Sequence, residues 1–265
     1  MENNKETKLK AKKIDICVCI KNRGNFVKHI ITQLETITKN LDCNIIFVDG
    51  MSDDNTVVQL IDFYKTHKDN CTIRQLDENN SNYVEAYNKA LSNCVSKYIC
   101  WLDSDDICES TKLEKQAQFL DNHKDIDVVS CSTYLSNKQI LSNTSVELTN
   151  EQITEGLKNG ATMKDICHFQ SCMFRKKCLS VFKKKRYFFD EFIGGYAGEG
   201  FLYILHFNGM KFYNINSTYY VYTKGMFKDG LTSRIDPLFA KDLDNMTYDE
   251  RKAEMEKLLD KYNKI

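Results

Sequence analysis

Asp103-Ser104-Asp105-Asp106 follows directly on the apolar run Tyr98 to Leu102 (YICWL). Carboxylates crowded at the end of a strand repel one another, and a divalent cation relieves the repulsion. Their hard oxygens suit Mg²⁺ or Mn²⁺, and Mg²⁺ usually takes one or two carboxylates and completes its shell with substrate phosphates. The cluster therefore points to a metal that bridges to a diphosphate. The competing reading is a solvated acidic loop capping a helix that begins near Ser110.

Asp49 ends a second apolar run, Asn44 to Val48 (NIIFV). Its carboxylate can accept hydrogen bonds from a ribose or a base, as an Asp or Glu does in dinucleotide folds. Ser52, Asp54 and Thr56 read as turn and N-cap residues for the helix that follows. The chain contains neither GxxxxGK[ST] nor GxGxxG. It therefore lacks the phosphate-cradling glycines of a P-loop or Rossmann site, which leaves the phosphates to a metal.

These groups need a scaffold that gathers strand ends. Short apolar runs at Ile14 to Ile20, Asn44 to Val48, Cys71 to Leu76, Tyr98 to Leu102 and Asp127 to Cys131 read as strands. Between them, helical spacing is expected over Phe26 to Lys39, Thr56 to His67, Tyr83 to Asn93 and Lys112 to Asn122. The alternation predicts a doubly wound, mainly parallel α/β sheet with helices on both faces. Ligands bind at the carboxyl ends of such strands, where Lys21–Asn25, Asp49–Asp54 and Asp103–Asp106 all fall. Further on, Thr149 to Asn159 reads as a helix with a Thr149/Gln152 capping box. Phe169 to Phe174 reads as a strand, Phe201 to Asn208 as a helix, Lys211 to Tyr222 as a strand pair and Asp249 to Lys264 as a C-terminal helix.

Composition narrows the class. The 265 residues carry 37 Lys+Arg and 37 Asp+Glu, a formal net charge of +0 that argues against nucleic acid as the main partner. No apolar run approaches the ~20 residues of a membrane helix, and the polar, Lys-rich start does not read as a signal peptide. The eleven cysteines show no CxxC pair. They read as reduced, buried thiols of a cytoplasmic protein. Lys183-Lys184-Lys185-Arg186 is either a solvated loop or a contact for a membrane surface or anionic acceptor. Trp101 reads as core, and His168 as a strand-edge or pocket residue.

The series IDICVCIKNR, IIFVDGMSDDNT, NSNYVEAYNKAL and YICWLDSDD resembles family 2 glycosyltransferases of the GT-A fold. The later run HFQSCMFRKK … FDEFIGGYAGEGFLYILHFNGMKFYNI is similar to that family's acceptor-side segment. The resemblance covers roughly residues 14–224. It implies a GT-A domain there, with a nucleotide-sugar-binding half at 14–131 and an acceptor-side half at 132–224. A flexible tail at 1–13 and a C-terminal extension at 225–265 flank it.

The resemblance also implies roles. Lys21, Asn22 and Arg23 fall in the first nucleotide-contacting loop, Asp49 contacts the nucleoside, and Asn88 lies on the helix that approaches the donor. Asp103 and Asp105 match the DxD motif, with Asp105 as metal ligand, Asp103 nearer the ribose and Asp106 as a second candidate. The family commonly carries Glu-Asp before an aromatic; here the residues are Glu199-Gly200-Phe201, so Glu199 is the expected base and Asp190 and Glu191 the fallbacks. A purely capping Glu199 is the competing reading. Tyr196, in the glycine-rich loop, is the expected acceptor contact. The usual proline after strand one is Cys19 here, and the metal-holding histidine of some members has no counterpart after Tyr222. The expected activity is Mn²⁺- or Mg²⁺-dependent, inverting sugar transfer from a nucleotide-diphosphate donor, taken as UDP-linked. The expected acceptor is a hydroxyl on a glycan, protein or lipid. A catalytically inactive sugar-nucleotide-binding module and a nucleotidyltransferase are the alternatives.

Overall fold

A computed structural model of the chain describes residues 9–39, 41–77, 82–135, 146–188, 197–222 and 243–264. The first half alternates as expected: β1 (Ile14–Ile20), α1 (Val27–Thr38), β2 (Cys43–Asp49), α2 (Thr56–Thr66), β3 (Cys71–Gln75), α3 (Tyr83–Ser92) and β4 (Tyr98–Trp101). The short β5 (Ile107–Cys108), α4 (Lys112–Asn122) and β6 (Val128–Leu135) come next. The second half adds α5 (Asn150–Lys158), α6 (Met163–Ile166), β7 (Met173–Arg175), α7 (Ala197–Phe207), β8 (Phe212–Tyr222) and α8 (Tyr248–Lys264).

Among the described residues the strands form one sheet in the order β3-β2-β1-β4-β7-β6-β8-β5. β3, β2, β1 and β4 are mutually parallel; β7 runs against β4 and β6, and β5 against β8. The apolar runs have a physical cause, since both faces of the sheet are covered. Ile16, Val18, Ile45 and Phe47 pack under α1, α2 and α4. Cys17, Ile46, Val48 and Trp101 pack on the opposite face with α3 and α5 to α8. Trp101 is core, as its place inside an apolar run implied.

At the far end of the sheet from the polar strand tips, Asp15 is fully buried. Its Oδ1 accepts from Asn44 Nδ2 (2.8 Å) and Ser96 Oγ, and its Oδ2 from the backbone N–H groups of Val95 (2.6 Å) and Ser96 (2.7 Å). A buried carboxylate is tolerated when its lone pairs are satisfied in this way.

Four expectations change. Residues 9–13 are not a free tail: the Lys13 N–H donates to Asp42 O, the Lys13 carbonyl accepts from Tyr98 N–H, and Leu9 packs on the core. Phe169–Ser171 is a 3-10 turn, and only Met173–Arg175 is strand. Lys211 to Tyr222 is not a strand pair; β8 is a single strand that bulges. Its partner register against β6 jumps from Ile215 to Tyr219, so the polar Asn216-Ser217-Thr218 mimics a turn in the sequence. The helix expected from Phe201 already includes Ala197. The capping box at Thr149 is present, with Thr149 N–H to Gln152 Oε1 at 2.9 Å. α8 packs into the α7 face of the core through Met255 and Leu258, and its buried Arg251 donates to the Leu243 and Ala161 carbonyls. The expected boundary at 224 lies outside the described residues.

All eleven cysteines are free thiols; ten are buried and Cys19 is half-buried. Burial pushes the Cys43 and Cys71 thiols up to about 12. Native protein at pH 8 should therefore show at most one fast-reacting thiol toward a disulfide reagent, against eleven in denaturant. Several fast native thiols would contradict this packing.

Burial also lowers two histidines from 6.5 to about 4: His206, helped by Lys158, and His168, helped by Lys112. Well above pH 6.5 neither state is protonated, so these rings add no pH dependence to stability. Between there and about pH 4 the unfolded chain binds protons that the native state refuses, so stability falls as pH falls. The melting temperature should drop over this window, and His206→Gln should flatten the slope; an unchanged slope would show that His206 titrates normally.

Candidate active site

The polar strand tips come together where β1 meets β4, the crevice position of a doubly wound sheet. β1 connects onward to β2 on one side while β4 flanks it on the other, a topological switch point at the carboxyl ends. The loop after β1 and the loop after β2 are stitched together there. Asn22 N–H donates to Ser52 Oγ (2.9 Å), and Asp53 N–H returns to Asn22 Oδ1 (3.0 Å). Arg23 N–H donates to Thr56 Oγ1 (2.8 Å) and Gly24 N–H to Asp54 Oδ2 (2.8 Å). A Cβ on Gly24 would meet Asn55 Oδ1 at 1.8 Å, so a larger residue there would push the Asn55 side chain aside. Ser52, Asp54 and Thr56 thus do the structural work assigned to them, but they bind across to the β1 loop. Thr56 does not cap α2, whose N-cap residue is Asn55.

Asp49, fully buried at the tip of β2, accepts from Ser52 Oγ and Ser52 N–H (3.0 Å), and from Gln75 Nε2 (3.1 Å). Lys21 and Asn22 are half-buried beside it, and Arg23 is buried, its guanidinium turned back to the Lys21 and Asn22 carbonyls. These four residues share one corner of the crevice.

The acidic cluster sits at the tip of β4. Asp103 and Asp105 are partly exposed, while Asp106 is 1% exposed. Burial, then the charges of Asp106 and Asp105, push the Asp103 carboxyl well above the usual carboxylate range. The same charges act on Tyr222, which burial first and the three carboxylates next push up to about 12. Such crowding of acids is what a dication would relieve. No group of three or more candidate ligands is assembled among the described residues. A dication bound here would have one or two carboxylates from the chain and would draw the rest of its shell from phosphate oxygens or water.

Sequence reasoning did not find the partners of this cluster. Gln170 Nε2 donates to Asp103 Oδ2 (3.2 Å), and the Tyr220 hydroxyl donates to Asp106 Oδ2 (2.7 Å). Lys112, fully buried, lies over the Tyr220 ring at 5.1 Å. These contacts span 67 and 114 residues of sequence, and no local pattern announces them.

Asn88 is buried and its amide is taken up elsewhere. Its Oδ1 accepts from Tyr187 N–H (2.8 Å) and Phe188 N–H (2.9 Å), and its Nδ2 donates to Phe188 O (3.0 Å). The structure thus gives its amide the task of clamping 187–188. Arg186 pairs with Glu85, while Lys183, Lys184 and Lys185 are exposed. His168 lies in the site wall before the 3-10 turn, its ring 5.3 Å from that of Tyr222. Its Nδ1 is buried with no hydrogen-bond partner among the described residues.

Glu199 is in the first turn of α7 and 4% exposed, and its Oε1 accepts from the Lys164 N–H at 3.4 Å. It therefore reaches another helix's backbone and does not cap a helix starting at Phe201. The α7 turn leans on the 3-10 turn that carries Gln170: a Cβ on Gly198 would lie 2.4 Å from the Phe169 ring. Tyr196, Asp190 and Glu191 lie outside the described residues.

The family described as Glycosyl transferase family 2 matches residues 15–182, well over half of the chain. The chain belongs to that family. This assignment sets aside the nucleotidyltransferase alternative. Among relatives of this family 2 chain, the bifunctional glycosyltransferase pgtA of Dictyostelium discoideum is 30% identical over 43% of the chain and 16% of its own length. An uncharacterized glycosyltransferase of Methanocaldococcus jannaschii is 30% identical over 38% of the chain and 36% of its own. The chain thus spans well under half of these relatives. S. aureus TarS 1-349 in complex with UDP-GlcNAc superposes with a TM-score of 0.64 at 18% identity, covering 84% of this chain and 62% of that one. The mannosyltransferase PcManGT of Pyrobaculum calidifontis, in complex with GDP-Man and Mn²⁺, gives 0.61 at 16%, covering 84% and 59%. At these identities the superpositions establish the shared GT-A-type fold. No helix among the described residues is long and apolar enough to cross a membrane.

Proposed function

We propose that this family 2 chain transfers a sugar, with inversion, from a nucleotide-diphosphate donor to an acceptor hydroxyl on a glycan, protein or lipid. The observation that carries the reading is the trio Asp103, Asp105 and Asp106 at the β4 tip, beside the Asp49 corner at the switch point. Asp49 and the Lys21–Arg23 loop receive the nucleoside, and Asp103 lies nearer the ribose. Asp105 and Asp103 would hold Mn²⁺ or Mg²⁺, which would offset charge gathering on the departing diphosphate. Glu199 takes the proton from the acceptor hydroxyl as that oxygen attacks the anomeric carbon on the face opposite the leaving group. UDP is the proposed nucleotide; the neighbour TarS holds UDP-GlcNAc and PcManGT holds GDP-Man. Eleven free thiols fit a reducing compartment, and the cytoplasm is the proposed location.

The test is a nucleotide-release assay over a panel of UDP- and GDP-sugars, with Mn²⁺ and with EDTA. Release that requires a divalent cation supports the reading, and turnover unaffected by EDTA rejects the metal role. A second reading, an inactive sugar-nucleotide-binding module, is favoured by the contact of Glu199 with Lys164 N–H, which gives that carboxylate a structural task. Calorimetric binding of a donor without turnover toward any acceptor would select it.

A further inference from the structure

The strand tips run in the order β2, β1, β4, β7, β6, β8. On the reading above, the nucleoside lies at Asp49 on the β2 tip and the diphosphate at the acidic turn after β4. The remaining part of the donor, its sugar, then extends past β4 toward β7, β6 and β8. β7 runs against β4, so the segment just before it, residues 168–171, arrives at this same end of the sheet. β6 runs against β7 and β8 lies parallel to β6, so β8 also finishes here, at Tyr222.

Two polar rings stand at that place. His168 and Tyr222 are both half-buried, with ring centroids 5.3 Å apart and planes inclined by 53°. Among the described residues neither nitrogen of His168 nor the hydroxyl of Tyr222 has a hydrogen-bond partner, and His168 Nδ1 is sealed from solvent. Folded proteins rarely leave such groups unserved. Both rings belong to the surroundings of the acidic turn. The charges of Asp106, Asp103 and Asp105 reach the Tyr222 hydroxyl, and His168 precedes Gln170, which holds Asp103 Oδ2 at 3.2 Å. Their chemistry selects a ligand. Neither ring is charged at neutral pH: burial, helped by Lys112, keeps His168 at about 4, and burial with the three carboxylates puts Tyr222 at about 12. A neutral imidazole has one donor and one acceptor nitrogen, and a phenol does both through a single oxygen. A sugar hydroxyl likewise donates and accepts, whereas a phosphate only accepts and is best met by cations. We propose that His168 and Tyr222 hydrogen-bond the sugar of the donor and set which sugar is accepted. The inference deepens the nucleotide-sugar reading above and rests on it.

The experiment is calorimetric titration of the full chain, with Mn²⁺, by UDP-glucose, UDP-galactose, UDP-GlcNAc and GDP-mannose, with UDP and GDP as sugar-free controls. Melting temperature is the folding control. Tyr222→Phe and His168→Phe each keep a ring and remove its polar atoms. Each should weaken the preferred nucleotide sugar by about 3- to 10-fold, the weight of one neutral hydrogen bond, and leave the sugar-free nucleotide within about twofold. A role in packing alone would not separate these two ligands. The ratio between the epimers UDP-glucose and UDP-galactose should also narrow, because the variants no longer read a hydroxyl. Parent-like affinity for the nucleotide sugar in both variants overturns the proposal. So does a parallel loss for UDP or GDP, which would make the pair a nucleotide contact. A loss in one variant only keeps that residue and removes the other, and if one variant does not fold the other decides. A parent protein that binds neither nucleotides nor nucleotide sugars removes the donor reading itself, which separates that failure from one confined to this pair.

Discussion

Asp105→Ala is expected to lower turnover by about 10³-fold or more, the loss of several kcal/mol of charge stabilisation at the leaving diphosphate. Asp105 is partly exposed and is one of the two charges that raise the Asp103 carboxyl. Two consequences separate a ligand from a generally important residue. UDP affinity should fall in the presence of Mn²⁺ and stay near the parent value in its absence. In metal-free buffer the variant should still melt in one cooperative transition, so that lost turnover is not lost fold. A variant with near-normal turnover, or one that merely unfolds, would remove Asp105 from the chemistry.

The second large effect concerns Glu199. Glu199→Gln should lower kcat by about 10²- to 10⁴-fold, the usual contribution of a positioned base, with the donor KM changed by less than about threefold. Glutamine keeps an oxygen to accept the Lys164 N–H, and an unchanged melting temperature is the control that assigns the loss to proton transfer. An active Glu199→Gln enzyme would move the base elsewhere and leave Glu199 as the tie between α7 and α6.

The parallel half of the sheet was legible because its physics is local. Strands covered on both faces read as unbroken apolar runs, and Ile14–Ile20 and Cys43–Asp49 match them almost to the residue. The three polar strand tips followed from that pattern and the rule for where ligands bind. Legibility failed where distant residues decide. Asn216-Ser217-Thr218 reads as a turn, yet Thr218 is held by Glu109 and the Ser217 carbonyl by Lys115, which keeps β8 continuous through a bulge. Asn88 occupies the donor-facing helix in the resemblance, but the backbone of Tyr187 and Phe188, about a hundred residues later, claims its amide. Gln170 and Tyr220 were missed for the same reason: a lone glutamine and a tyrosine within YYVY carry no spacing signal.

The fully satisfied Asp15 carboxylate has a consequence for assembly. It joins β1 to Asn44 of β2 and to the turn that leads into β4, at the opposite rim from the crevice. Sliding either neighbour by one position would strand this anion in the interior, so misaligned pairings are penalised far more heavily than apolar contacts alone would ensure. Substituting Asp15 by a hydrophobe should thus relax the fidelity with which the strands line up. The first sign would be slow or heterogeneous refolding, felt at a rim that Asp15 never touches.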